Sequence, residues 1–252
     1  MSAEKSDVWI EHGYAAVRGL RDPQPCEMRF LCEDELDEVY KLHRLVIGGM
    51  KHPHMFRADS KSFMAQHIER RGRTVGTFCN GRLAGYAAIS FPDGDPDNLG
   101  RDLPLPEAEI AHVADYEGSA VHPDFRGNRL QIKMTDLRHR YALAHDRYHI
   151  LGTVSPLNPV SLSNFLGFGC RVKNFKIKYA GMQRFVIHRD LRDAVAPSFN
   201  PTTLVDVPLS RIERHIALLR QGLQGFRVVP GADEAHLRYG RPEASGALSA
   251  LG

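Results

Sequence analysis

The chain has 252 residues, with 33 lysines and arginines against 30 aspartates and glutamates, a net charge of +3 and 42% apolar residues. So even a balance excludes a dedicated nucleic-acid binder, and the apolar share excludes global disorder. At roughly 150 residues per domain the length fits one large or two small domains, and no apolar run approaches the ~18 residues of a membrane span.

Met1-Ser-Ala-Glu-Lys-Ser-Asp7 is polar and mixed in charge with no apolar stretch behind it, so no secretory signal is expected. Cys26, Cys32, Cys79 and Cys170 form no C-x-x-C pair. Scattered cysteines of this kind are expected to be reduced thiols in a cytoplasmic protein. Among the 13 histidines, His52-Pro-His54 and the His139/His145 pair lack both the i, i+4 spacing and the cysteine partners of a zinc site. No metal is expected.

Residues 1–26 are polar, carry Pro23 and Pro25, and read as an N-terminal extension. Glu27–Leu31 is a short strand. Leu36, Val39, Tyr40, Leu42 and His43–Ile47 follow at helical spacing and stop at Gly48-Gly49. Lys51–Arg57 is a loop, and Ser60–Arg71 a second helix closed by Gly72. Thr74–Cys79 and Arg82–Phe91 are strands flanking Asn80-Gly81, a strong hairpin signal because both turn residues need positive φ.

Pro92–Ile110 breaks every pattern, with four prolines, two glycines and six acidic residues against the single base Arg101. Ala111–Val121 resumes as a strand. After Arg126-Gly127 a long helix carries Leu130, Met134, Leu137, Tyr141 and Ala144 as an amphipathic stripe. His149–Val154 is a strand, Pro159–Leu166 a short helix, and Arg171–Tyr179 with Met182–Arg189 a final hairpin over Ala180-Gly181. The helix between residues 112 and 154 must be a crossover joining two parallel strands. The fold class is therefore α/β or α+β, a mixed sheet with helices on both faces.

Beyond residue 191, Ser210-x-x-Glu213 reads as a capping box for a helix with Ile212, Ile216 and Leu219 on one face, closed by Gly222. Gly225–Val229 is a short strand. This C-terminal extension, 192–252, is too small to bury its own core and should pack on the main domain or on a second subunit, which leaves a homodimer open. Arg241–Gly252 is expected to be a loose tail.

The chemistry concentrates in Ser119-Ala-Val-His-Pro-Asp-Phe-Arg-Gly-Asn-Arg-Leu-Gln131, a strand that turns through a glycine into a helix. Free amides at a helix start and the positive end of its dipole suit an anion, and Arg126 and Arg129 add charge. The stretch resembles the V-x-P-x-x-R-G-x-G-x-G/A signature of the GNAT superfamily of acyl-CoA-dependent N-acetyltransferases. Val121, Pro123, Arg126, Gly127, Asn128 and Leu130 match in place, whereas Arg129 and Gln131 stand where that family usually has small residues. Asn158-Pro-Val-Ser161-Leu-Ser-Asn-Phe165 and Gly169-Cys170 resemble its second element, and the likeness spans residues 27–191.

What the resemblance implies is a mostly antiparallel seven-stranded sheet with a splayed parallel pair near 112–121 and 149–154, and acetyl-CoA as co-substrate. Pantetheine would pair with the backbone around Ala120, Val121 and His122. The pyrophosphate would sit on the amides of Arg126, Gly127, Asn128, Arg129, Leu130 and Gln131, with Asn158 and Ser161 nearby. The acceptor amine would attack the thioester directly, so a base is needed. Glu117 is the first choice and Asp115 the second, two apart on one strand face, with His122 a third candidate in a more structural position. Phe165 occupies the position where the family often has a proton-donating tyrosine, which leaves Tyr116, Tyr179 or water as donor.

By the same resemblance, His52–Arg57, Pro92–Ile110 and Tyr179–Met182 would build the acceptor pocket. The reading that follows is a cytoplasmic N-acyltransferase acting on a small-molecule amine, with no nucleic-acid or membrane partner. A protein or peptide amine as acceptor, and a non-catalytic acyl-CoA sensor, are the alternatives.

Overall fold

The structure, a computed structural model, describes residues 10–50, 56–193 and 197–243. His52-Pro-His54, the N-terminal heptapeptide and most of the C-terminal tail lie outside them. The chain divides into two compact units, one running to Asn98 and resuming over Pro106–Ile150, the other made of Leu99–Leu105 and the chain from Leu151 onward.

The first unit opens with β1 (Glu11–Ala15) and β2 (Gln24–Phe30), followed by α1 (Leu36–Gly48) and α2 (Lys61–Ile68). The hairpin β3 (Gly72–Cys79) and β4 (Arg82–Ser90) comes next, then a short α3 (Glu107–Ile110), β5 (Val113–Val121) and α4 (Leu130–Ala144). Strand order is β1-β2-β3-β4-β5, antiparallel throughout. Asn80 (φ 50°) and Gly81 (φ 77°) make the turn between β3 and β4, as the dipeptide predicts. Ser60 caps α2, its hydroxyl accepting from the Phe63 amide at 3.1 Å.

Helices cover both faces of this sheet. On one, Leu130, Met134 and Leu137 of α4 pack on Met28, Val75, Ala84 and Ala87. On the other, Val39, Leu42 and Val46 of α1 and Met64 of α2 pack on Leu31, Leu83 and Tyr86. The α4 stripe holds as far as Leu137, while Tyr141 is half-buried against Phe91 and Ala144 is exposed. Arg138 on the same helix is fully buried. It donates to the Ala88 carbonyl at 2.9 Å and to Thr135 Oγ1 at 2.8 Å, and its guanidinium lies 4.6 Å from the Tyr116 ring centroid.

The chain enters the second unit along β6 (His149–Val154) and continues through α5 (Pro159–Gly167), β7 (Arg171–Lys178), β8 (Met182–Asp190), β9 (Val205–Pro208), α6 (Ile212–Arg220), β10 (Gln224–Val229) and β11 (His236–Gly240). Strand order here is β6-β8-β7-β10-β11-β9. The pairs β7–β8, β7–β10, β10–β11 and β9–β11 are antiparallel. Leu237 and Tyr239 of β11 and Leu218 and His215 of α6 are buried, and His215 Nδ1 bonds the Tyr239 hydroxyl at 2.9 Å.

Three expectations are corrected. The described residues contain eleven strands rather than seven. The seven expected between 27 and 191 are present as β2 to β8. The other four come from the flanking segments, which find sheet edges to pair with: β1 on β2, and β10, β11 and β9 beyond β7. The cysteines are not all thiols, because β2–β3 register places Cys26 directly opposite Cys79 and the two form a disulfide, leaving Cys32 and Cys170 free. Finally, Ser210 does not cap α6. Its hydroxyl and amide both bond Glu234, Arg211 becomes the residue before the helix, and no side-chain cap forms.

Among the described residues no helix is long and apolar enough to cross a membrane, and no group of three or more histidine, cysteine, aspartate or glutamate side chains is placed to hold a metal ion.

Candidate active site

β5 does not pair evenly with β4. Ile89 faces Tyr116 but Ala87 faces Ser119, so β5 carries one extra residue at Glu117–Gly118. Such a bulge turns a side chain out of the regular alternation. Glu117 is directed into a narrow cavity of about 10 Å³ within the first unit, which Asp59, His67 and Tyr86 also line. Val39, Phe63, Met64 and Ile68 supply its apolar wall. Asp115 is buried and is not among the lining residues.

Glu117 remains 21% exposed, and its Oε1 accepts from the Ser90 hydroxyl at 2.8 Å. Burial pushes its carboxyl above the usual range, although Ser90 and Arg57 pull the other way. His67 Nε2 stands 3.7 Å from the same oxygen. The other ring nitrogen, Nδ1, is 2.7 Å from the Phe63 carbonyl, which can only accept, so Nδ1 carries the hydrogen. Neutral His67 therefore turns a lone pair toward Glu117, and burial keeps it neutral by lowering its pKa. The two groups face the cavity as proton acceptors.

Asp59, just before α2, was not singled out from the sequence. Its side chain is only 7% exposed, and burial raises its carboxyl to about 6, with Glu117 adding to the shift and Arg57, 3.3 Å away, opposing it. Gly118 makes room for it, because a Cβ there would come within 2.7 Å of Asp59 Oδ2. The partner carboxylate of Glu117 is thus Asp59 rather than Asp115. Behind them the buried Tyr86 hydroxyl bonds His43 Nδ1 at 2.6 Å.

At the far end of β5, Ala120 is buried and Val121 half-buried. The His122 amide donates to the Ala84 carbonyl at 2.8 Å and its Nε2 accepts from Arg82 at 2.7 Å, which gives His122 a structural role. Arg126, Gly127 and Arg129 are exposed. Gly127 has φ 88°, and Arg129, the residue before α4, is left-handed at φ 56° and ψ 24°. Arg129 therefore adopts the backbone conformation a glycine would supply, and the turn keeps its shape with a cation added. Leu130 is buried at the helix start and Gln131 half-buried. The opening turn of a helix presents amides without intrahelical acceptors, so exposed arginines at this one fit a phosphate-bearing ligand.

Asn128 differs from its expected part, because its side chain is already bound. Oδ1 accepts from the Ala16 amide at 2.8 Å while Nδ2 donates to the Ala16 and Phe125 carbonyls at 2.7 and 2.9 Å. The carboxamide fastens the chain after β1 to the loop, and only its backbone remains for a ligand. In the second unit Asn158 caps α5, Oδ1 accepting from the Ser161 amide at 3.0 Å, and Phe165 is buried.

Tyr116 is withdrawn as a proton donor by its buried hydrogen bond to His139. Of the acidic residues in Pro92–Ile110, Asp95 pairs with Arg71, Asp93 with Arg147, Glu109 with His149, and Asp102 with Lys178. Those carboxylates anchor the segment instead of forming an open lure for a cationic amine. Of the first acceptor loop, Phe56 and Arg57 are described and His52–Met55 are not.

No family model matches the sequence, and no curated protein does. The fold has solved relatives. A GNAT-family acetyltransferase from Streptococcus pneumoniae is 13% identical, with a TM-score of 0.51 over 66% of this chain and 99% of that one. YncA from Salmonella typhimurium, solved with acetyl-CoA, is 13% identical with a TM-score of 0.50 over 69% and 98%. Ard1 from Thermoplasma volcanium is 9% identical with a TM-score of 0.50 over 66% and 97%. At such identities the likeness is one of fold: the chain has the fold of the GNAT acetyltransferases.

Proposed function

We propose that the protein is an acyl-CoA-dependent N-acyltransferase, using acetyl-CoA and acetylating the primary amine of a small molecule. The observation that carries this reading is the bulge on β5, which turns a carboxylate of raised pKa into a compact cavity on the fold of acetyl-CoA-dependent enzymes. The solved relative that holds acetyl-CoA supports the co-substrate. The cavity, about 10 Å³, has room for about one water molecule, which suits Glu117 to act on the amine through a bound water.

A primary amine arrives as an ammonium ion and must lose a proton before it attacks. Asp59 and Glu117 draw the cation in, and Glu117 takes the proton, its raised pKa suiting a base that works near neutrality. The free amine then adds to the thioester carbonyl and the carbon–nitrogen bond forms; the nitrogen gives up its second proton to water, and the carbon–sulfur bond breaks to release the coenzyme A thiolate. Amides near Val121 polarise the carbonyl, and the opening turn of α4 with Arg126 and Arg129 holds the pyrophosphate. Phe165 has no proton to give, so the thiolate leaves without a donor from α5.

Thermal unfolding with acetyl-CoA tests the co-substrate. A saturable rise in Tm is expected, and Gly127→Asp should abolish it by adding a carboxylate where the phosphates bind. A Tm indifferent to every acyl-CoA would refute the reading.

A further inference from the structure

The second unit holds an open pocket of about 250 Å³ where β7 begins and β8 ends. Arg171 and His188 are directly paired residues of the β7–β8 ladder, and the register shifts between Val172 and Asn174, which leaves Lys173 at a bulge. All three line the pocket.

Arg171 is 8% exposed, yet its charge is uncompensated. Nη1 donates to the Cys170 carbonyl at 2.7 Å and the guanidinium lies 5.7 Å from the Phe199 ring centroid. Nε has no hydrogen-bond partner, and neither Arg171 nor Lys173 forms an ion pair, among the described residues. The neighbouring charges are already used. Arg189 donates to the Phe168 carbonyl at the end of α5, and Asp190 holds Arg192 through two donors at 3.0 and 2.6 Å. Asp193 also lines the pocket, and its field and that of Asp190 both act on Lys173.

A buried guanidinium without a counter-ion is costly unless something pairs with it. We propose that this pocket binds a compact oxyanion, a single carboxylate or phosphate group carried by a small molecule, between Arg171 and Lys173. The guanidinium fork matches the two oxygens of such a group and the ammonium adds a point charge. Asp190 and Asp193 repel a polyanion, which restricts the ligand to one anionic group. The site is independent of acyl transfer.

The full chain is titrated separately with phosphate and with acetate at an ionic strength fixed by chloride, and Tm is read. At least one anion gives a saturable rise, and the one that saturates at lower concentration identifies the group. Lys173→Met weakens the response by about tenfold or more, as expected for a lost charged hydrogen bond. Arg171→Met abolishes it while leaving the anion-free Tm equal or higher, because methionine removes a buried unpaired charge. If neither anion gives a saturable rise, or the rise survives both substitutions unchanged, the proposal is overturned.

Discussion

The Asp59 carboxylate rests against the backbone of Gly118, so closely that a methyl group on that glycine would lie 2.7 Å from Oδ2. The contact joins the start of α2 to the bulge of β5 and brings a second carboxylate into the cavity of Glu117. It also gives Asp59 a stability signature that can be measured.

Burial raises the Asp59 carboxyl to about 6 from its ordinary 3.8, so between those values the folded state holds a proton that the unfolded state has lost. Stability from this group is full below pH 4 and falls as pH rises to about 6, by on the order of 3 kcal/mol. Asp59→Asn removes that fall. Urea unfolding at pH 4 and pH 7.5 should find the variant close to the parent at the lower pH and more stable at the higher. A constant difference across the range would show that Asp59 is not a buried, raised carboxyl.

Glu117 is expected to set the acid limb of the reaction. Its carboxyl is raised, so kcat/KM should climb with pH through a midpoint above the ordinary glutamate value of 4.5. Glu117→Gln should lower turnover by roughly 10²-fold or more with acetyl-CoA binding retained. Near-normal turnover in that variant would remove Glu117 from the mechanism.

Arg129 is held in the left-handed region at φ 56°, where a side chain costs about 1 kcal/mol that glycine avoids. Arg129→Gly should therefore stabilise the chain by up to about that amount, while weakening acetyl-CoA through the lost cation. Chemical unfolding and a titration separate the two effects. A destabilised variant would mean that the arginine side chain holds the turn in place.

Cys26 and Cys79 offer a simple count. Denatured without reductant, the chain should expose two thiols, Cys32 and Cys170, and all four after reduction. Four thiols before reduction would restore the expectation of reduced cysteines.

What the sequence revealed follows from how local each cause is. Asn80-Gly81 marks the turn between β3 and β4 because turn geometry is a property of a few adjacent residues. Glu117 was legible as one of two carboxylates, with Asp115, two apart on the strand that leads into the GNAT-like motif. Asp59 was not, because its burial depends on a glycine 59 positions away and on a register shift that no local pattern announces. Ser210 illustrates the opposite error. Its spacing to Glu213 satisfies the capping rule, but Glu234 reaches it first, from 24 residues further along. β9, four residues long and ending in proline, is a strand because β11 pairs with it.

Acetylation of a small amine with Glu117 as base is measured by following thiol release from acetyl-CoA against a panel of primary amines, amino acids and peptides. Amine-dependent release with small primary amines is expected, stoichiometric with acetylated product and lost in Glu117→Gln. Thiol release that no amine accelerates, in a protein that nevertheless binds acetyl-CoA, would refute the proposed transfer.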